Sequence, residues 1–126
     1  MNFFTGHKTI DLFQPAIEVK KRLKKVKISG VSRMPDPVDF YFNMAEKLTD
    51  LFHDFRNTLF IEFELEYVNT GSSKWIFHML HQLEKLANEK GMIEVSWLYE
   101  KDDETILETG QLLKSELKIP LTLKEI

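Results

Sequence analysis

The sequence predicts a single α/β domain in which a mixed sheet of four or five strands carries its helices mainly on one face. Apolar residues alternate with polar ones in two central segments, and they recur three and four apart in the segments between. One strand, helix and strand unit spans about 40 residues of the chain. At 126 residues the chain can bury one core without disulfides, so we expect residues 1–126 to form one domain.

The first predicted element is a short β-hairpin. The segments 15–19 and 25–29 both alternate, and the basic run 20–25 lies between them. Two interpretations of this basic run stay open: a solvated turn whose lysines guard an edge strand, or a patch that meets an anionic surface. Pro35 and Pro37 then turn the chain before the first helix begins.

The first helix is predicted over residues 38–55, because its apolar side chains recur at helical spacing. Its buried face should consist of Phe40, Tyr41, Met44, Leu48, Leu51, Phe52 and Phe55. Phe42 falls on the opposite side and is expected to be exposed.

The central strand is predicted over residues 60–68, and it alternates. The inward side chains should be Leu59, Ile61, Phe63, Leu65 and Tyr67, and the outward ones Glu62, Glu64 and Glu66. The strand over 93–99 repeats this pattern, with Ile93, Val95, Trp97 and Tyr99 inward. A parallel strand covered on both faces would be apolar throughout, so one face of the sheet should be open.

The second helix is predicted over residues 72–90 and ends at Lys90-Gly91. Its buried stripe should be Ile76, Met79, Leu80, Leu83, Leu86 and Ala87. Because this helix connects two strands, the crossover should make those strands parallel. The acidic stretch 100–104 should open a third helix that extends to about residue 114, and a short edge strand is expected over 121–123.

The composition excludes several classes of protein. The net charge of −3 does not suit a nucleic-acid-binding surface. Without cysteine the chain has no disulfide, thiolate nucleophile or cysteine-based metal site. The sequence has neither a secretion signal nor an apolar run of membrane-spanning length, so we expect a cytoplasmic protein without a membrane partner.

Catalytic chemistry is not predicted. The three outward glutamates of the central strand lie on the solvent face, where Lys25 and Lys27 can face them. Ser72 and Ser73 lack the Gly-x-Ser-x-Gly elbow of a serine nucleophile, and Gly71 stands outside any phosphate-loop motif. We therefore expect no enzyme activity and no cofactor.

A histidine pair supplies the one metal hypothesis. His78 and His81 are three residues apart on the second helix, and Glu84 follows three residues later. Both histidines fall opposite the buried stripe, so a solvated helix surface is the competing interpretation and no metal is predicted. A metal-dependent enzyme would contain bound metal after purification.

The junction of the central strand with the second helix is the most informative feature. A phosphate at a helix N-terminus is stabilised by about 0.3–1 kcal/mol, because free backbone N–H groups and the helix dipole face it. Phosphorylation of Thr70 would therefore act as a switch. The supporting loop residues would be Asn69, Gly71, Ser72, Ser73 and Lys74. In the competing interpretation the loop is only a cap, with Ser72 or Thr70 accepting a helix N–H group.

Several motifs resemble the SiaC family of bacterial regulatory phosphoproteins. They are Tyr67-Val-Asn-Thr-Gly-Ser-Ser-Lys74, Trp97-Leu-Tyr-Glu-Lys-Asp-Asp-Glu104, Glu108-Thr-Gly110, Gly30-Val-Ser32, Pro35-Asp36 and Phe40-Tyr41. The resemblance extends over residues 28–123. This chain departs from the family pattern at Gly71, where serine is usual, and at Pro35-Asp-Pro37, which replaces Pro-Glu-Asn.

The resemblance implies a fold similar to STAS domains, the anti-sigma factor antagonists, and a phosphorylation site at Thr70. It also implies three protein partners: a protein kinase, a PP2C-type phosphatase and an effector such as a diguanylate cyclase that controls biofilm formation. In such a circuit the unmodified protein binds and activates the effector.

The expected partner surface combines the loop with Arg33, Met34, Phe77 and His78. Phosphate on Thr70 is expected to engage the N–H groups near Ser72 and Ser73, one of which would remain the helix cap. The alternative function is a constitutive protein-binding or dimerisation module in which the loop is only a cap.

Overall fold

The computed structural model describes residues 12–126, which form five strands and three α-helices. In chain order the elements are β1 (Ala16–Lys20), a 3-10 turn (Lys21–Leu23), β2 (Lys25–Ser32), α1 (Val38–Asp54), β3 (Thr58–Val68), α2 (Thr70–Lys90), β4 (Met92–Tyr99), α3 (Glu104–Glu116) and β5 (Leu121–Glu125). The predicted hairpin, the three helices and the final strand are confirmed.

The five strands form one mixed sheet in sequential order from β1 to β5. β1 is antiparallel to β2, and each later strand is parallel to its predecessor. The predicted parallel pairing across α2 is therefore confirmed. Three helical crossovers of one hand, made between adjacent strands in the same direction, place α1, α2 and α3 on the same side of the sheet.

The core lies between these helices and one face of the sheet. Alternate strand residues supply its sheet side, namely Val26, Ile28, Leu59, Ile61, Phe63, Leu65, Ile93, Val95 and Trp97. The helices supply Tyr41, Met44, Leu48, Phe52, Ile76, Leu80, Leu83, Ile106 and Leu113, among others. The expectation of helices on one face is confirmed, and Phe42 is exposed as predicted.

Tyr67 is a correction to the predicted alternation, because its side chain is 42% exposed. In the pairing of β2 with β3, Gly30 lies opposite Leu65 but Val31 lies opposite Tyr67, so Glu66 is an extra residue in β3. Such a bulge breaks the two-residue period. Both Glu66 and Tyr67 consequently face solvent at the end of the strand.

Gly91 ends α2 at the predicted position, but the reason is a close approach between segments. A Cβ atom at Gly91 would collide with the backbone oxygen of Asn57. That oxygen also accepts a hydrogen bond from the N–H of Met92 at 3.0 Å. The glycine therefore allows the turn before β3 to lie directly against the start of β4.

Candidate functional site

The junction between β3 and α2 begins the helix two residues earlier than predicted. α2 starts at Thr70, and Asn69 is its N-cap, with extended backbone and a side-chain oxygen that accepts the Ser72 N–H at 2.8 Å. The expectation that Thr70, Ser72 or Ser73 provides the cap was wrong. Asparagine caps helices as well as serine does, so its position directly after the strand was the available signal.

The capping geometry also changes which backbone donors are available. Asn69 occupies the N–H of Ser72 through its side chain and the N–H of Ser73 through its carbonyl oxygen, at 3.0 Å. Within residues 12–126, the N–H groups of Thr70 and Gly71 have no hydrogen-bond partner. An anion at this helix end would therefore meet Thr70 and Gly71, and not Ser72 and Ser73 as expected.

The three hydroxyl groups of the loop differ in their surroundings. Thr70 is exposed, whereas Ser72 is fully buried and its hydroxyl has no partner within the described residues. The Ser73 hydroxyl is half-buried and donates to the Thr70 carbonyl oxygen at 3.1 Å. Of the three, the Thr70 hydroxyl is the accessible one that makes no hydrogen bond within the described residues.

The turn 33–37 lies directly beside this helix end. Asn69 donates its backbone N–H to the Ser32 oxygen at 3.0 Å and its side-chain amide to the Met34 oxygen at 3.2 Å. A Cβ atom at Gly71 would lie 3.6 Å from the Pro37 ring, an ordinary contact distance. The two positions at which the chain departs from the family pattern thus face each other.

A buried hydrogen bond fixes the floor of this junction. The hydroxyl groups of Ser32 and Tyr41 are 2.6 Å apart, and both side chains are buried. Burial raises the pKa of the Tyr41 phenol far above its ordinary value, and the hydrogen bond between the Tyr41 and Ser32 hydroxyls offsets part of that rise. The contact ties the end of β2 to α1 beneath Asn69.

Two cations near the loop are stacked on aromatic rings. The Arg33 guanidinium lies 4.7 Å from the ring centroid of Tyr67, and the Lys74 ammonium lies 5.8 Å from that of Trp75. Arg33 and Lys74 are both exposed. Met34, which was expected on the partner surface beside Arg33, is instead 92% buried, since only 8% of it is accessible.

The outward side of α2 presents a group of rings close to the loop. His78 lies 5.0 Å from Trp75 and 5.6 Å from Phe77, measured between ring centroids, and Phe77 also stacks on His81 at 5.6 Å. Phe77 is half-buried and His78 is exposed. Phe77 and His78 therefore lie on one surface, about two helical turns from Thr70.

Glu84 does not complete a metal site with the two histidines. One carboxylate oxygen, Oε2, accepts the backbone N–H groups of Lys118 and of Ile119, the latter at 3.0 Å. His78 and His81 are exposed, as predicted, while Glu84 is buried. No cluster of three potential ligands that could hold a metal ion occurs within residues 12–126.

Two of the three outward glutamates of β3, Glu62 and Glu64, are paired with lysines of β2, as the sequence indicated, whereas Glu66 forms no ion pair within residues 12–126. Lys25 lies 2.9 Å from Glu62, and Lys27 lies 3.0 Å from Glu64. The hydrogen bond that Lys27 donates to the Glu64 carboxylate is the main cause that raises the pKa of Lys27. These carboxylates face the open side of the sheet and not a cleft.

No helix within residues 12–126 combines the length and the hydropathy that a membrane span requires.

Solved structures of SiaC from Pseudomonas aeruginosa share this fold. One has a TM-score of 0.79 and 17% sequence identity, with 95% of this chain and 97% of that chain covered. The structure of apo-SiaC has a TM-score of 0.75 and 18% sequence identity, with 90% of this chain and 93% of that chain covered. A chain from the complex of the diguanylate cyclase SiaD with its activator SiaC has a TM-score of 0.78 and 18% sequence identity. The match covers 92% of this chain and 95% of that chain.

At this level of identity the likeness shows a common fold. No curated protein matches the sequence. The model of the family described as SiaC family regulatory phosphoprotein, however, matches residues 8–126. With that match over nearly the whole length, the chain belongs to the SiaC family of regulatory phosphoproteins.

Proposed function

We propose that reversible phosphorylation of Thr70 switches the binding of this protein to an effector. A protein kinase adds the phosphate, a PP2C-type phosphatase removes it, and the unmodified form binds the effector. The observation that supports this most directly is the exposed Thr70 hydroxyl beside two unpaired backbone N–H groups. Asn69 already caps the helix, so the cap interpretation gives the Thr70 hydroxyl no role.

The phosphate would act at the first turn of α2. It adds about −1.5 to −2 charges, which moves the formal charge from −3 to about −5. The N–H groups of Thr70 and Gly71 and the positive end of the helix dipole stabilise it by roughly 0.3–1 kcal/mol. Lys74, one turn further on, adds a cation that supports the phosphate.

The new charge would also change the surface that the effector meets. That surface consists of the loop, Arg33 beside it, and Phe77 and His78 on the outward side of α2. Because it combines rings with the two exposed cations Arg33 and Lys74, a dianionic group placed beside it alters both its charge and its hydration. The protein itself is a substrate of enzymes and a regulator, with no catalytic role.

A diguanylate cyclase is the effector that we propose, and the output is the control of biofilm formation through cyclic-di-GMP. The support is the common fold with a chain from the complex of the cyclase SiaD with its activator SiaC. Family membership adds the regulatory phosphoprotein class.

The test combines mass spectrometry of the protein from native cells with binding measurements on three variants. Thr70→Ala should bind the effector as the unmodified protein does, and Thr70→Glu should bind at least tenfold more weakly. Thr105→Glu is the matched control, because Thr105 is also exposed in the first turn of a helix, α3. Its binding should be unchanged.

The proposal fails if Thr70 carries no phosphate under any growth condition and both Thr70 variants bind partners as the native protein does. That result would instead favour a constitutive protein-binding or dimerisation module.

A further inference from the structure

A cationic cavity lies at the end of the sheet opposite Thr70. It has a volume of about 420 Å³ and is lined by Lys21, Lys24, Leu51, Asp54, Phe55 and Arg56. These residues come from the turn before β2 and from the end of α1 before β3. Thr70 follows the far end of β3, which at ~3.3 Å per residue places it roughly 35 Å away along the strand.

The charges that line the cavity are not neutralised within the described residues. Lys21, Lys24 and Arg56 supply three positive charges against the single carboxylate of Asp54. None of these four groups forms an ion pair within residues 12–126. The cavity therefore has an excess of two positive charges in a protein whose net charge is −3.

The backbone holds two of the cations in conformations that favour glycine or asparagine. Lys24 has a φ of 52° and Arg56 a φ of 60°. Residues other than glycine rarely adopt this left-handed region, and such residues concentrate at functional sites. Two different turns therefore bring an unusual conformation and a cationic side chain to the same cavity.

Hydrogen bonds hold both turns in place. The Lys24 oxygen accepts the Phe60 N–H at 2.9 Å, and Asn57, next to Arg56, donates to the Phe52 oxygen at 2.8 Å. The Asn57 oxygen in turn accepts from Met92 at 3.0 Å. Because these hydrogen bonds fix the backbone of both turns before a ligand binds, Lys24 and Arg56 lose little backbone entropy on binding.

The remaining wall of the cavity is apolar. Phe55 is buried and Leu51 is half-buried, and both belong to the core or pack against it. A site lined by three cations and an apolar wall suits a ligand that carries phosphate on an organic body. A volume of about 420 Å³ lies within the range of small-molecule sites.

We propose that this cavity binds a soluble phosphorylated organic anion of nucleotide size. Lys21, Lys24 and Arg56 contact the phosphate, and the organic body lies against Leu51 and Phe55. The site is separate from Thr70, so this inference does not depend on the phosphorylation switch.

The test is a titration of the ¹⁵N-labelled protein with ATP, with pyrophosphate as the phosphate-only probe and adenosine as the ring-only probe. At physiological ionic strength, ATP should shift the amide resonances of the cavity residues and leave those around Thr70 in place. Pyrophosphate should shift the same residues more weakly, and adenosine should have the least effect.

Two substitutions fit the backbone at the cavity. Lys24→Asn and Arg56→Asn remove the charges, and asparagine tolerates a positive φ. Each should weaken ATP binding about tenfold. Lys101→Asn is the matched control, since Lys101 is an exposed turn residue after β4 at the other end of the sheet. The affinity of this variant for ATP should equal that of the native protein. If either variant fails to fold, Lys21→Gln replaces it.

Three results would overturn the proposal. The first is that neither ATP nor pyrophosphate shifts the cavity residues at millimolar concentration. The second is that Lys101→Asn weakens binding as much as the cavity variants do, which would indicate attraction by general charge. The third is that phosphatidylglycerol vesicles bind in a manner that depends on Lys24 and Arg56 while ATP does not, which would indicate a membrane surface.

Discussion

Asn69 connects three parts of the molecule through four hydrogen bonds. Its side chain joins Ser72 to Met34, and its backbone N–H and oxygen bond to Ser32 and Ser73. The sequence placed a polar loop here, but the cap was predicted at Thr70, Ser72 or Ser73 and not at Asn69. All of these side chains can cap a helix, and the choice depends on where the strand ends.

Replacing Asn69 tests this connection. Asn69→Ala should lower the free energy of unfolding by about 1–2 kcal/mol, because the cap is lost. Asn69→Asp keeps an acceptor for the Ser72 N–H but loses the donor to Met34, so its stability should be intermediate. Urea unfolding of the unphosphorylated proteins measures both values. Equal stability of Asn69→Ala and the native protein would contradict the assignment of the cap.

Glu84 connects α2 to the segment that joins α3 to β5. Its buried carboxylate accepts the backbone N–H groups of Lys118 and Ile119. In the sequence Glu84 was noted only for its ligand spacing from His78 and His81. The acceptor is needed because the turn after α3 leaves two N–H groups without partners in secondary structure, a requirement that arises only once the elements pack.

The element-scale prediction compares two substitutions of Glu84. Glu84→Ala should lower the free energy of unfolding by about 2 kcal/mol or more, because two N–H groups lose their acceptor. Glu84→Gln retains a side-chain oxygen, so its free energy of unfolding should fall by less than half as much as that of Glu84→Ala. Glu89→Ala is the control, since Glu89 is exposed on the same helix. Chemical unfolding of all three variants provides the measurement, and a Glu84→Ala variant as stable as the control would refute the role.

The bulge in β3 shows a second limit at the element scale. The alternation correctly predicted the inward residues from Leu59 to Leu65 but failed at Tyr67. A bulge depends on how β3 pairs with β2, and Gly30, with a φ of 102°, lies where the register shifts. A single strand pattern contains no information about its neighbour's register.

The stability of the whole molecule should fall in alkaline solution because Tyr41 is buried as a neutral phenol. Its pKa in the folded protein lies above the ordinary value of 10.0. Above pH 10 the unfolded chain releases this proton and the folded chain keeps it, so unfolding becomes more favourable by up to about 1.4 kcal/mol per pH unit. The stabilisation is complete below pH 10 and is lost as pH rises from there.

Tyr41→Phe isolates this effect. The variant should be less stable at neutral pH, since Ser32 loses its partner, but its stability should decline less steeply above pH 10. Tyr67→Phe removes an exposed phenol and should keep the native decline. Thermal unfolding between pH 8 and 11 checks the difference between the variants. An unchanged alkaline slope in Tyr41→Phe would refute the explanation.

At the scale of the whole molecule, the sheet separates two candidate sites. Thr70 and the turn 33–37 lie at the carboxyl ends of β2 and β3, and the cationic cavity lies at their amino ends. The basic run 20–25 was interpreted as either a solvated turn or an anion patch, and Lys21 and Lys24 from it line the cavity. The run alone could not indicate Arg56, which reaches the cavity from a distant turn.

By itself the sequence determined the order and type of the elements, the buried stripes of the helices and the polar loop that contains Thr70. These follow from local periodicity, which depends on neighbouring residues alone. The tertiary structure decided that Asn69 caps the helix, that Ser72 is buried while Thr70 is exposed, and that Pro37 lies against Gly71. Each of these depends on which distant segment packs beside the loop, and local periodicity does not specify contacts between distant segments.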